Sequence, residues 1–133
     1  MQKLQPSGWM KPKGYANGIA AEGRLVFVAG QVGWDETGTF RTHDFIGQVR
    51  QCLENTLAVL AEAGAGPEHV VRMTWYITDR EEYLTSTESM GRVYRELMGR
   101  HFPTMTMVEV AALIESEAKV EIETTAVVSS EPR

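Results

Sequence analysis

His101-Phe102-Pro103-Thr104-Met105-Thr106-Met107-Val108-Glu109-Val110 and, a short gap later, Lys119-Val120-Glu121-Ile122-Glu123-Thr124-Thr125 form the stretch on which the fold of this chain turns. In the second run Val120, Ile122 and Ala126 fall on one side of an extended backbone, and Lys119, Glu121, Glu123 and Thr125 fall on the other. This is the two-residue alternation of a strand with one buried face. Pro103 introduces the first run, so two strands end the domain. Glu121 and Glu123 therefore lie side by side on one face. In most proteins a charged strand face is simply solvated, and the rest of the chain decides whether this one does more.

Upstream, Asp79 with Glu82 three residues on has the pattern of a capping box. Tyr83, Thr87, Met90, Tyr94 and Leu97 then recur at helical spacing, which predicts one helix ending at Gly99. Before it, Val71, Met73, Trp75 and Ile77 alternate with Arg72, Thr74, Tyr76 and Thr78, a strand whose polar second face could line an interface. Phe45, Val49, Cys52 or Leu53, Thr56 or Leu57 and Leu60 predict a helix over about residues 44–63, with Thr42 as N-cap and Gly64 as its stop. Two strands, Tyr15 to Ala21 and Leu25 to Ala29, are predicted to form a hairpin across Glu22-Gly23. Gly30-Gln31-Val32-Gly33-Trp34 and the residues up to Gly38 read as a loop. Its glycines are spaced neither as a dinucleotide fingerprint nor as a P-loop.

The predicted order is β-β-α-β-α-β-β, an α+β fold in which a single mixed β-sheet carries two helices on one face. Residues 15–128 form the domain, between an irregular arm over 1–14 and a tail over 129–133. Within the arm, Trp9 either packs on the domain or covers a surface used by a ligand or partner. The other face of the sheet, expected to carry Trp75, Tyr76, Met105 and Met107, would be bare in a monomer and asks for a partner chain.

Composition narrows the function. With 13 basic and 18 acidic side chains the net charge is -5, and no cluster of Lys or Arg is interleaved with aromatics. A nucleic-acid partner, which needs cations to displace counterions, is disfavoured. The one cysteine, Cys52, excludes an internal disulfide and sits in an apolar helical pattern. His43, His69 and His101 are scattered, so no metal is expected. No apolar run reaches the roughly 20 residues a membrane helix needs. A soluble, cytoplasmic protein without a cofactor is the expectation.

Several segments in this order resemble one family: Gly14-Tyr15-Ala16-Asn17, Leu25 to Gln31, Gln51-Cys52-Leu53-Glu54-Asn55, Thr78-Asp79, His101-Phe102-Pro103, Val108 to Leu113 and Val120-Glu121-Ile122-Glu123. The chain is similar over nearly its whole length to the RidA/YjgF family, also known as reactive-intermediate deaminases and historically as translation-inhibitor endoribonucleases. The resemblance implies a chorismate-mutase-like fold and a homotrimer with barrel-like packing at its centre. Small-molecule ligands would bind in clefts between subunits. It implies hydrolysis of enamines and imines to a keto acid and ammonia, with Glu121 orienting the water, Tyr15 as an aromatic wall, and backbone at Gly30 and Gln31 lining the cleft. In deaminating members Pro is followed by a small residue, then Arg, then Ser, whereas this chain reads Pro103-Thr104-Met105-Thr106. Met105 stands in place of the arginine that clamps the substrate carboxylate, and Gly91 replaces a polar residue, usually Asn.

Losing a guidanium fork removes five donors and a fixed charge. Each charge-assisted hydrogen bond is worth roughly 1.5 to 3 kcal/mol, so affinity for the smallest imino acids would drop by orders of magnitude. Two functions are then in competition. One is a hydrolase acting on a longer or less charged enamine, such as an aminomuconate, in a pocket made more apolar by Met105, Met107 and Trp34, with Lys11 or Lys13 supplying the cation. The other is a non-catalytic trimer that binds a metabolite or a protein in the same clefts. Ribonuclease activity has poor electrostatic support at this net charge.

Overall fold

The computed structural model describes residues 1–129, so of the expected tail 130–133 lie outside the described residues. The elements are β1 (Gln2–Leu4), β2 (Gly18–Ala20), β3 (Arg24–Val32), α1 (Phe45–Glu62), β4 (Val70–Ile77), α2 (Arg80–Leu84), α3 (Thr87–Met98), β5 (Thr104–Glu109) and β6 (Val120–Val128), with a 3₁₀ turn at Pro67–His69. The main sheet has the order β3-β6-β4-β5. β4 and β5 run parallel, joined by the helical crossover of α2 and α3, and the other pairs are antiparallel. The sheet is thus mixed, as the element order predicts.

The helical stripe read from the sequence is the buried one. Phe45, Val49, Cys52, Leu53 and Leu60 of α1 share a core with Met73 and Trp75 of β4, Val120 and Ile122 of β6, and Val93, Tyr94 and Met98 of α3. The cap of α1 falls two residues later than Thr42. Asp44 is the N-cap, accepting from Gly47 N at 2.8 Å, while the Thr42 hydroxyl accepts from Asp44 N at 3.0 Å and steadies it. Gly64 follows the C-cap with a left-handed φ of 68°, the conformation in which glycine ends helices without steric cost.

Four expectations are corrected. First, β2 does not form a hairpin with β3; it pairs with β1 in a separate two-stranded ladder. At the Glu22-Gly23 turn a Cβ on Gly23 would lie 2.1 Å from the Val128 carbonyl oxygen. The chain passes tightly over the end of β6 there and enters β3, whose Arg24 lies opposite Val128. Second, the arm is not irregular throughout, because Gln2–Leu4 is β1. Third, β3 continues to Val32 through a bulge between Val28 and Gln31, where a loop was expected from Gly30. Fourth, the single helix predicted up to Gly99 is two. Around the break the Thr85 hydroxyl donates to the carbonyls of Glu81 and Glu82, the local bonding by which Thr competes with continued helix. Asp79 does cap α2, accepting from Glu82 N, but the Glu82 carboxylate bonds the Lys119 ammonium instead of closing the box.

The residues on the bare face also differ from expectation. Trp75 is fully buried beneath the helices, and Met105 and Met107 pack partly against the same core. The uncovered face carries Phe27 (71% exposed), Leu25 (59%) and Val108 (41%). Trp9 is 62% exposed, so most of its surface stays in water.

Gln48, fully buried on α1, was not marked by its sequence context. Its amide donates to the carbonyls of Thr42 and Glu117 and accepts from Lys119 N, at 3.2, 2.9 and 2.8 Å. One side chain thus pins the segment before β6 to the first helix. Gln48→Leu removes the partner of two backbone groups distant in sequence, the Glu117 carbonyl and Lys119 N, and we expect it to cost about 2–6 kcal/mol in urea unfolding, from roughly 1–3 kcal/mol per orphaned group.

Candidate functional site

Residues opposite one another in a sheet share a face, so the strand register sorts the predicted site residues. Glu121 pairs with Tyr76, which pairs with Val108; Glu123 pairs with Thr74, which pairs with Thr106. These two rows lie on the uncovered face. Val32 of β3 lies opposite Glu121. Gly30, in the bulge, comes against the Glu121 carboxylate so closely that a Cβ there would lie 2.0 Å from Oε2. Glycine is therefore a condition for the carboxylate to sit where it does. The Tyr76 hydroxyl donates to Glu123 Oε1 at 2.5 Å, and that bond, then partial burial and the charges of Glu123 and Glu121, raise the phenol above its ordinary pKa. Of the two acids, Glu123 is engaged by this bond.

The other predicted residues lie elsewhere in the single chain. Met105 pairs with Met73 and so lies on the helix-covered face, opposite to Glu121 and to its own neighbour Thr106. Tyr15 lies at the β5 edge of the sheet, where Ala16 bridges Thr104 and donates to the Pro103 carbonyl at 3.0 Å. Together with Lys11 and Phe102 it lines a groove. Gln31 and Trp34 border a different depression against α1. Trp34 is held there by Phe40, with ring centroids 5.8 Å apart, and by Asn55, whose Nδ2 donates to the Trp34 carbonyl at 2.8 Å. Gly91 is on α3, where a Cβ would meet only the tip of Arg95. Within one chain the structure brings Glu121 and Gly30 into contact and sets Thr106 on their face, while Tyr15, Trp34 and Gly91 occupy three separate places. Among the described residues no three His, Cys, Asp or Glu side chains cluster as metal ligands, and no helix is long and apolar enough to cross a membrane.

Cys52 is inert by position. Burial, and to a lesser degree the negative charge of Glu121, pushes its thiol far above the ordinary range, so it carries no nucleophile at neutral pH.

Sequence reading missed the device that shapes the loop after Trp34, although Asp35-Glu36-Thr37-Gly38 has the makings of an Asx turn. Asp35 Oδ1 accepts from Thr37 N, Thr37 Oγ1 and Thr39 N, and Oδ2 accepts from Arg41. The Thr37 hydroxyl and then the Arg41 guanidinium hold this carboxyl well below the usual carboxylate range. Because the folded-state pKa is depressed, the contribution to stability is complete above the unfolded value of about 4 and is lost as pH falls towards the folded value. Asp35→Asn is expected to lower the melting temperature at neutral pH, with the gap to wild type closing in scans at progressively lower pH below about 4.

Fold and site together define a class: a small α+β subunit with its long helices on one sheet face and two carboxylates, half-buried Glu121 and exposed Glu123, on the other. The comparisons make the class specific. Residues 10–128 match the family described as endoribonuclease L-PSP. TdcF of Escherichia coli K12, a protein named as a reactive intermediate deaminase, is 34% identical over 120 residues, covering 87% of this chain and 88% of its own. A RutC family protein of Pyrococcus abyssi is 37% identical over 114 residues, covering 81% and 87%. Among solved structures, the Rid family protein YyfB of Yersinia pestis superposes with a TM-score of 0.84 at 28% identity, covering 96% of this chain and 98% of that one. E. coli TdcF with bound serine gives 0.70 at 30% identity, covering 97% and 100%. This chain belongs to the endoribonuclease L-PSP family, the RidA/YjgF group, as its sequence segments imply.

Proposed function

We propose that the protein is a hydrolytic deaminase that converts an enamine or imine to a carbonyl compound and ammonia, on a substrate longer than the smallest imino acids. The observation that carries the reading is Glu121 on the uncovered face, with the Gly30 backbone making the room its carboxylate needs. The 34% identity to a protein named as a reactive intermediate deaminase supports it. In the proposed reaction an enamine first tautomerises to the imine. Glu121 takes a proton from water as the water oxygen bonds to the imine carbon and the C=N electron pair moves to nitrogen. That proton passes to nitrogen to give the carbinolamine; Glu121 then takes the proton of the new hydroxyl and delivers it to nitrogen as the C–N bond breaks, so that NH3 leaves and the hydroxyl oxygen becomes the C=O.

Glu121 and Tyr15 stand apart in one chain, so in the proposed assembly three copies close their uncovered faces on one another. A cleft is then built from Glu121 of one copy and Tyr15 of the next. Exposed Phe27, Leu25 and Val108 supply the apolar surface for this closure. With Met105 facing the helix side, the expected arginine clamp is missing and the smallest imino acids have no cation on β5 to hold them. We place the protein in the cytoplasm.

The test measures ammonia release from freshly generated 2-aminoacrylate, 2-iminobutyrate and aminomuconate, alongside light scattering. The reading expects a mass three times that of the chain and turnover favouring the longest substrate. Absence of ammonia from all three would refute the deaminase reading, and a monomer at assay concentration would refute the shared cleft.

A further inference from the structure

Between the N-terminal ladder and the start of β5 lies a groove of about 370 Å³, lined by Lys3, Leu4, Lys11, Tyr15 and Phe102 among others. Its size falls within the roughly 300–1,000 Å³ of small-molecule sites. The walls are held from behind. Phe102 stacks on Tyr94 at 5.8 Å with the planes 13° apart. The arm is tied back through Gln5, which donates to the carbonyls of Trp9 and Met10 and accepts from Asn17 Nδ2 at 2.8 Å. The pairing of Lys3 with Ile19 sets the first lysine in the ladder.

The charge in this groove is unbalanced. The ion pairs of the described residues engage Arg41, His43, Arg50, Arg80, Arg92 and Lys119, and none includes Lys3 or Lys11. No acidic side chain is among the residues that line it. In a chain of net charge -5, two ammonium groups without a counterion beside two aromatic rings make a local exception to the acidic surface. Like charges gathered in one concavity raise the local concentration of anions, and the ring faces offer apolar contact to a flat body.

We propose that this groove binds a planar organic carboxylate, its anionic end held by Lys11 and Lys3 and its body lying against Tyr15 and Phe102. The groove abuts Thr104, one residue before Met105, so the cation absent from β5 is replaced from the arm. As the carboxylate end of the substrate this rests on the deaminase reading; as an anion site it stands without it.

The test is calorimetric titration of the full chain with benzoate and with its neutral isostere benzamide, together with amide chemical-shift mapping. Benzoate is expected to bind at least about tenfold more tightly than benzamide, since a charge-assisted contact is worth more than a neutral one. Binding should weaken with added salt, with shifts centred on Tyr15, Ala16 and Asn17. The double variant Lys3→Ala/Lys11→Ala loses most benzoate affinity, Lys11→Arg keeps it, and Lys13→Ala, outside the lining, leaves it unchanged. Equal affinity for the two probes, unaltered benzoate binding in the double variant, or shifts centred elsewhere would overturn the proposal. Ammonia release by a protein that fails these titrations sinks the groove and spares the deaminase. Benzoate binding that depends on the lysines, without any ammonia release, does the reverse.

Discussion

Glu121→Gln is expected to lower ammonia release about 10²- to 10⁴-fold, the range that a positioned proton acceptor contributes. The amide has nearly the shape of the carboxylate and still accepts a hydrogen bond, but it cannot take a proton from water. The strand is indifferent to the change. Glu121 sits on the uncovered face opposite Tyr76, while the core contacts of β6 come from Val120 and Ile122. Circular dichroism, melting temperature and light-scattering mass should therefore match the wild type. A variant that keeps more than about a tenth of the activity removes Glu121 from the mechanism on the same scale.

Gly30→Ala probes the same carboxylate without touching it. The added Cβ would lie 2.0 Å from Oε2, 2.8 Å from Cδ and 3.0 Å from Cγ of Glu121. All three atoms belong to the end of a movable side chain, so the fold survives and the carboxylate is displaced. A displacement of about 1 Å in a catalytic group can cost roughly 10²-fold in rate, and a loss of that order is expected in kcat. Stability should fall by the roughly 1–3 kcal/mol typical of local overpacking. Combining Gly30→Ala with Glu121→Gln separates the two effects. If displacement of the acid is the cause, alanine at 30 costs little further activity once the acid is gone. A full second loss in the double variant would mean that Gly30 acts on the substrate through its own backbone.

Both experiments ask whether the acid on β6 is chemical or merely solvated, and the groove titrations ask where the substrate's charge is held. The two questions concern different edges of one sheet. Glu121 and Gly30 are on the β3 side of β4, and Tyr15 with its groove is on the β5 side. A single site made of both requires neighbouring copies, which is why the mass measurement belongs beside the activity assay.

What the sequence determined by itself was whatever repeats over short distances along the chain. The alternation from Val120 to Ala126, the stripe from Phe45 to Leu60, the stop at Gly99 and the strand start after Pro103 all depend on neighbours a turn or a pleat away. The sharing of a face by Glu121 and Glu123 follows from the same period, and is met in the structure.

Only the tertiary structure decided what depends on segments far apart in sequence. That β2 pairs with β1 while β3 pairs with β6 rests on meetings of distant segments, Lys3 with Ile19 and Arg24 with Val128. That Met105 lies on the covered face, and Trp75 beneath the helices, was settled by the register of β4 between β5 and β6. The meeting of Lys3, Lys11, Tyr15 and Phe102 in one groove needs the arm folded back onto the strand edge. Local periodicity gives each strand two faces; which face meets water, and which distant side chain it meets, is chosen when the strands pair and the helices cover one side.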